Sequence, residues 1–192
     1  MSSDHRDAIL QAATEVFARP GIKKASIDDI ARRARIGKGT VYLHFDSKEA
    51  LFATVIRDVW ARVFQGLTSA VRQARTPEGK LRAFFRARRD QIAELARALQ
   101  VSEETALELT PLAVPHVREF RERELHLLEE ILAEGTSTGQ FTVPEPRLFG
   151  VGLLGWLDGL APMLLPLGGT QELRAGTEEL LEAVLRGIAA HR

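Results

Sequence analysis

The side chains best suited to a chemical task lie between Ser26 and Leu51, SIDDIARRARIGKGTVYLHFDSKEAL, and that task is recognition of a polyanion rather than bond-making. On a helical wheel of about 100° per residue, Gly39 and Leu43 fall opposite Val41 and Phe45, with Thr40 and Tyr42 flanking them. A glycine at this position lets the backbone approach a phosphate or base edge. The two hydroxyls supply donors, and an outward leucine suits a thymine methyl. His44 adds an imidazole. Lys48 adds a cation beside the amino end of the helix opened by Ser47, where backbone N–H groups already favour an anion. Tyr42 or His44 taken singly could merely pack or be solvated in a small bundle; together they point to a DNA groove.

A second chemical candidate is Arg88. It sits at the centre of the helical stripe Leu81, Phe85, Ile92, Leu95 and Leu99, where a guanidinium cannot remain buried without a partner. Two readings are open. Asp158, the sole charge in the apolar run from Leu148 to Leu165, can pair with it. Alternatively Arg88 faces a pocket lined by Trp60, Phe64, Phe85 and Phe120 and grips the polar end of an apolar effector.

A third group is His126 with Glu122 and Glu130, four residues to either side on one helix face, which could hold a metal or serve hydrolysis. The same spacing is common on solvated helices. There is no nucleophile elbow, no phosphate-cradling glycine loop and no helical zinc motif. With no cysteine, thiol catalysis, disulfides and cysteine-ligated zinc are excluded. The sequence thus assigns no catalytic residue, no metal ligand and no cofactor. A metal-binding or hydrolytic helical-bundle enzyme is the alternative to the DNA-binding reading.

The elements that would position these residues are all helical. Ile27, Ile30, Ala31 and Ala34 recur at helical spacing while Arg32, Arg33 and Arg35 point elsewhere, and Ser26 with Asp29 makes a capping-box-like start. Ile36-Gly37 breaks the run, and Lys38 to Phe45 forms a second short helix: a helix-turn-helix. A first helix from about Asp4 to Arg19 supplies the third wall with Ile9, Ala12, Ala13, Val16 and Phe17, and Pro20-Gly21 ends it. Lys23 and Lys24 follow in a loop.

From Ser47 a helix of about seven turns runs to Val71 and, at that length, serves two domains. Pro77 to Leu99 carries the Arg88 stripe, with Arg82, Arg86, Arg89 and Arg97 on its solvated side. A short helix from Ser102 is expected to stop at Pro111, and another spans Pro115 to Glu134 with Gly135 as its stop. The segment Gly135 to Pro146 is a loop. Gly155 and Gly159 should let another helix approach the apolar run. The last helix, from Thr170, presents Leu173, Leu180, Leu181, Val184 and Ile188, with Glu178, Glu179 and Glu182 outward; two such helices per subunit can build an intersubunit four-helix bundle.

GKGTVYLHFDSKEALF, with SIDDIA upstream and AILQAATEVFARPG before that, resembles the amino-terminal DNA-binding domain of the TetR family of bacterial transcriptional regulators. The resemblance is specific over roughly the first 50 residues and architectural beyond them. It implies an all-α homodimer with a helix-turn-helix DNA-binding domain at 1–48 and an effector-binding and dimerisation domain at 49–192. Such a protein binds a palindromic operator, usually as a repressor, and lets go when a small, largely apolar molecule enters the second domain. The family's DNA-facing positions carry over to Ser26, Lys38, Gly39, Thr40, Tyr42, His44 and Lys48. The last two helices would form the dimer interface. Pro20 departs from the family pattern and stops the first helix sharply.

Composition agrees. At 45% hydrophobic residues the chain can bury a core. Its net charge is zero, yet residues 1–48 hold nine Lys and Arg against six Asp and Glu, a balance of +3; with 26 of each in the whole chain, the remainder holds 17 against 20 and a balance of −3. The basic end is the end with the motif, the sign that phosphate neutralisation requires. MSSDHRDAIL lacks the pattern of a signal peptide, so a cytoplasmic protein is expected. The run from Leu148 approaches the roughly 20 apolar residues of a membrane span, but Asp158, Pro162 and the absence of flanking basic residues argue against one.

Overall fold

A computed structural model describes the backbone of residues 2–19, 21–98, 103–168 and 170–190. Pro20 and Leu99, and the side chains of Ile92, Leu95, Arg97, Pro162 and Leu173, lie outside what it describes. The described residues form helices α1 (Ser2–Ala18), α2 (Gly21–Lys24), α3 (Ile27–Ala34), α4 (Lys38–His44), α5 (Lys48–Gln73), α6 (Pro77–Ala98), α7 (Glu103–Ser137), α8 (Pro146–Gly168) and α9 (Thr170–Ile188). The fold is all-α, as expected; the described residues contain no strand, and Phe141 and Ala189 form one isolated bridge. Among them, no helix is long and apolar enough to cross a membrane.

The chain divides into two compact units, Met1–Trp60 with Leu95–Arg118, and Ala61–Glu94 with Glu119–Arg192. The first is built on Ile9, Ala13 and Phe17 of α1, Ile30 of α3, Val41 of α4, and Leu51 and Phe52 of α5. Phe17 and Phe52 meet edge to face at 5.5 Å between centroids. Burying each such side chain is worth about 1.5–3 kcal/mol, so the short α3 and α4 are held by packing rather than by propensity.

The second unit packs Leu67 of α5, Leu81, Phe84 and Phe85 of α6, Leu128 and Leu132 of α7, Leu154 of α8 and Leu181 of α9 into one core. Here Arg89 is buried rather than solvated as expected, while Arg86 is exposed and Arg82 half-buried, and all three are ion-paired. Arg82 pairs with Glu182 and with Glu78, Arg86 with Glu178 at 2.8 Å, and Arg89, itself buried, with Glu178 at 3.0 Å and Asp90 at 2.9 Å. The acidic face of α9 therefore turns to the basic face of α6, because two facing helices of opposite charge neutralise each other at little desolvation cost.

Three further expectations are corrected. Pro111 does not stop a helix: α7 runs unbroken for 35 residues through Pro111 and Pro115. The carbonyls their missing N–H groups would have bound belong to residues 107 and 111, both exposed, so neither is left unpaired in a buried setting. α7 also continues two residues past Gly135. The close approach in the apolar run is made by Gly150, where a Cβ would lie 3.1 Å from Leu125, whereas at Gly155 and Gly159 a Cβ would meet nothing within 4 Å.

Candidate nucleic-acid interface

Local chemistry sets the helix-turn-helix. The Ser26 hydroxyl accepts the Asp29 N–H at 3.1 Å and donates to its carboxylate at 2.5 Å, capping α3. That hydroxyl bond is the chief reason the Asp29 carboxyl titrates below its usual range. At the other end Arg35 adopts a left-handed conformation, φ 58°, and the N–H groups of Arg35 and Ile36 return to the carbonyls of Arg32 and Ala31 at 3.2 and 3.0 Å. α4 then starts at Lys38.

Val41 and Phe45 are buried in the first unit's core, so the opposite side of α4 faces out. Leu43 is 84% exposed and Tyr42 48%. Gly39 is exposed and a Cβ there would meet nothing within 4 Å. Thr40 and His44 flank this surface, half-buried. An exposed leucine beside hydroxyls and an open backbone is a surface with no folding rationale of its own.

Lys38 and Lys48 are less free than their charge suggests. Lys38 pairs with Asp28 at 2.8 Å, chiefly a hydrogen bond that raises its pKa. The Lys48 ammonium donates to the carbonyls of Ile22 and Ala25 at 2.8 and 3.1 Å, so two of its three N–H groups brace the α2 turn. Lys23 and Lys24, expected in a loop, lie in that turn and are exposed.

A brace from α7 escaped sequence reading. The Glu108 carboxylate accepts the backbone N–H of Lys23 at 3.1 Å, and the Thr105 hydroxyl donates to the Arg19 carbonyl at 3.1 Å. Gly21 between them has φ +76°, and a Cβ there would sit 2.9 Å from the Glu108 carboxylate. Only glycine accepts both constraints without strain. The signal for this brace is not local, since the partners are about 85 positions apart in the chain.

The residues expected around an effector fall into both units. Trp60 ends the α5 portion of the first unit and is half-buried. In the second, Phe85 is buried against Trp156, centroids 6.3 Å apart, and Phe64 and Phe120 both lie under the Arg123 guanidinium. Arg88 does pair with Asp158, at 2.6 Å, but also donates to Glu124 at 3.0 Å. Asp158's other oxygen faces Arg121. Burial holds the Glu124 carboxyl above its usual range, and its Oε2 has no hydrogen-bond partner among the described residues. Glu124 and Arg121, missed in the sequence, complete a neutral set of two guanidiniums and two carboxylates.

The His126 alternative does not assemble. His126 and Glu130 meet at 3.4 Å on an exposed face while Glu122 is drawn to Arg147 at 3.2 Å. No group of metal-ligating side chains occurs among the described residues.

A helix-turn-helix whose second helix leaves Gly39, Tyr42 and Leu43 exposed is the arrangement expected of a DNA-binding regulator. Residues 9–55 match the family model of bacterial regulatory proteins of the tetR family. The chain is 31% identical over 140 residues to the HTH-type transcriptional repressor KstR2 of Mycolicibacterium smegmatis, covering 72% of this chain and 68% of that protein. Among solved structures it resembles the fatty acid degradation regulator FadR of Bacillus halodurans, with a TM-score of 0.76, 26% identity and 94% of each chain covered. It also resembles FadR of Bacillus subtilis in complex with stearoyl-CoA, with a TM-score of 0.78, 24% identity, and 95% of this chain and 98% of that chain covered. The chain belongs to the TetR family, with an amino-terminal helix-turn-helix and a carboxy-terminal helical domain, and is a DNA-binding transcriptional regulator.

Proposed function

We propose that this chain is a homodimeric repressor that binds a palindromic operator through residues 1–48 and is released by a small, largely apolar effector bound within residues 49–192. The observation that carries the DNA reading is the outward side of α4, where Leu43 is left 84% exposed while Val41 beneath it is fully buried. Gly39, Thr40 and Leu43 enter the groove. Ser26, Lys38, Tyr42, His44 and the remaining N–H of Lys48 meet phosphates. Such a regulator works at the chromosome, in the cytoplasm.

Dimerisation through α8 and α9 is supported by a face that no described residue covers. Leu148 and Val151 are exposed there, and a Cβ at Gly152, Gly155 or Gly187 would meet nothing within 4 Å. An apolar groove of about 690 Å³ lined by Leu148, Trp156 and Val184 runs along the same face. For the effector, Phe64, Phe85 and Phe120 of the second unit supply apolar walls, and Arg88 with Asp158 the polar contact. That a Bacillus subtilis FadR was solved with stearoyl-CoA agrees with an apolar chain as ligand.

Selection of bound DNA from a random pool tests the reading directly. The expected product is an inverted repeat with half-sites about 34–36 Å apart, bound less tightly as salt rises. Equal affinity for selected and random DNA at physiological salt would overturn it.

A further inference from the structure

Within the second unit a groove of about 750 Å³ runs along α5 and α7 and reaches Lys80 of α6. Its apolar surface comes from Phe64, Val71, Leu127 and Ile131, of which Phe64 and Leu127 remain half-exposed. At the Phe64 end Arg123 lies over the rings of Phe64 and Phe120, 6.0 and 5.5 Å from their centroids. Phe64 is shared with the proposed effector set, whereas Phe85, Arg88 and Asp158 do not line the groove.

The charges around it are unevenly satisfied. Glu119 is held by Arg123 at 2.6 Å, Glu122 by Arg147 at 3.2 Å and Glu134 by Lys80 at 2.6 Å. Glu130 has only the His126 imidazole, at 3.4 Å. Arg72 and Arg75 line the same groove, are exposed, and have no ion-pair partner among the described residues. Two uncompensated guanidiniums against one carboxylate leave that end positive. From Phe64 to Arg72 the distance along α5 is about 12 Å at 1.5 Å per residue.

We propose that this groove binds an amphiphile with an anionic head group, its alkyl chain on Phe64, Leu127 and Ile131 and its head between Arg72 and Arg75. A planar guanidinium pair suits a phosphate or carboxylate, and an aliphatic tail suits the apolar floor of Phe64, Leu127 and Ile131. The groove lies apart from Phe85, Arg88 and Asp158, so it is a second binding site within the second unit.

Calorimetric titration of the full chain with decyl phosphate, with decanol and inorganic phosphate as controls, tests the proposal. Decyl phosphate should bind one to one, and the R72A/R75A variant should bind it about tenfold more weakly with an unchanged melting temperature. Leu127→Gln should weaken it as well, and neither control should match it. Equal binding to wild type and R72A/R75A would overturn the site. Loss on Phe85→Ala with R72A/R75A unaffected would overturn it too, placing the amphiphile in the effector pocket and leaving the regulator reading intact. Inorganic phosphate binding as tightly as decyl phosphate would reduce the groove to an anion patch and reject the amphiphile.

Discussion

Arg88 Nε donates to Glu124 Oε1 at 3.0 Å, and the two side chains are only 4% and 1% exposed. Asp158, also bonded to Arg88, is 28% exposed and has Arg121 as a second partner. Removing the guanidinium therefore strands Glu124 far more than Asp158. Arg88→Met should cost on the order of 3 to 5 kcal/mol in thermal or denaturant unfolding. Adding Glu124→Leu should recover more of that loss than adding Asp158→Leu. The reverse order would make Asp158 the principal partner. A folded Arg88→Met that binds operator but no longer answers to the effector would instead support the ligand role.

The Glu178 carboxylate is held at a pKa of about 2, first by its hydrogen bonds from Arg86 and then by those from Arg89, against an ordinary value of 4.5. A depressed acid contributes stability that is full above pH 4.5 and is lost as pH falls toward 2. Because Glu178 is about one-third exposed, solvent screening reduces the effect to about 1–2 kcal/mol. Glu178→Gln should accordingly melt lower than wild type at pH 7 and converge with it near pH 2. A constant gap across that window would remove the ion pairs as its cause.

How much of this is legible in the sequence depends on the distance over which the signal acts. The Ser26 cap, the break at Ile36-Gly37 and the Val41–Phe45 spacing are local, so α3, α4 and their outward surface can be read directly. Glu124 cannot, because it stands among Arg121, Glu122 and Arg123 in a stretch that looks solvated, and its partner Arg88 lies 36 positions away. The same holds for the basic face of α6, whose neutralisation depends on α9 turning toward it. Pro111 and Pro115 mislead for a different reason: how far a helix tolerates an interior proline depends in part on whether the freed carbonyl is open to solvent, and exposure is a tertiary property.

Gly135 lies within α7, yet a Cβ there would collide with the buried ring of Phe141. The chain closes this corner with the N–H groups of Gln140 and Phe141 on the Gly135 carbonyl at 2.8 and 2.9 Å. Helix propensity alone would favour alanine by about 1 kcal/mol, but overpacking against a fixed ring costs about 1–3 kcal/mol. Gly135→Ala should thus destabilise the fold, and Phe141→Leu should be less harmful in that background than in wild type. Additive unfolding energies in the double-mutant cycle would show that the two sites do not interact.

The outward residues of α4 should separate by role when the selected operator is in hand. Leu43, 84% exposed, is the side chain we propose to meet a thymine methyl. Leu43→Ala should change the preferred sequence at that position and cost about 1–3 kcal/mol on the matched base. Tyr42→Phe and His44→Ala should weaken all sequences about alike, as phosphate contacts do. Lys48→Ala should differ from both. Its ammonium braces the carbonyls of Ile22 and Ala25, so the variant should lose melting temperature as well as affinity, whereas Tyr42→Phe and His44→Ala should lose affinity alone. Melting curves beside binding isotherms at two salt concentrations make the division. If Leu43→Ala leaves the selected sequence unchanged, Leu43 is no base reader; if Lys48→Ala melts like wild type, its carbonyl bonds contribute nothing to the first unit and its charge serves the DNA backbone alone.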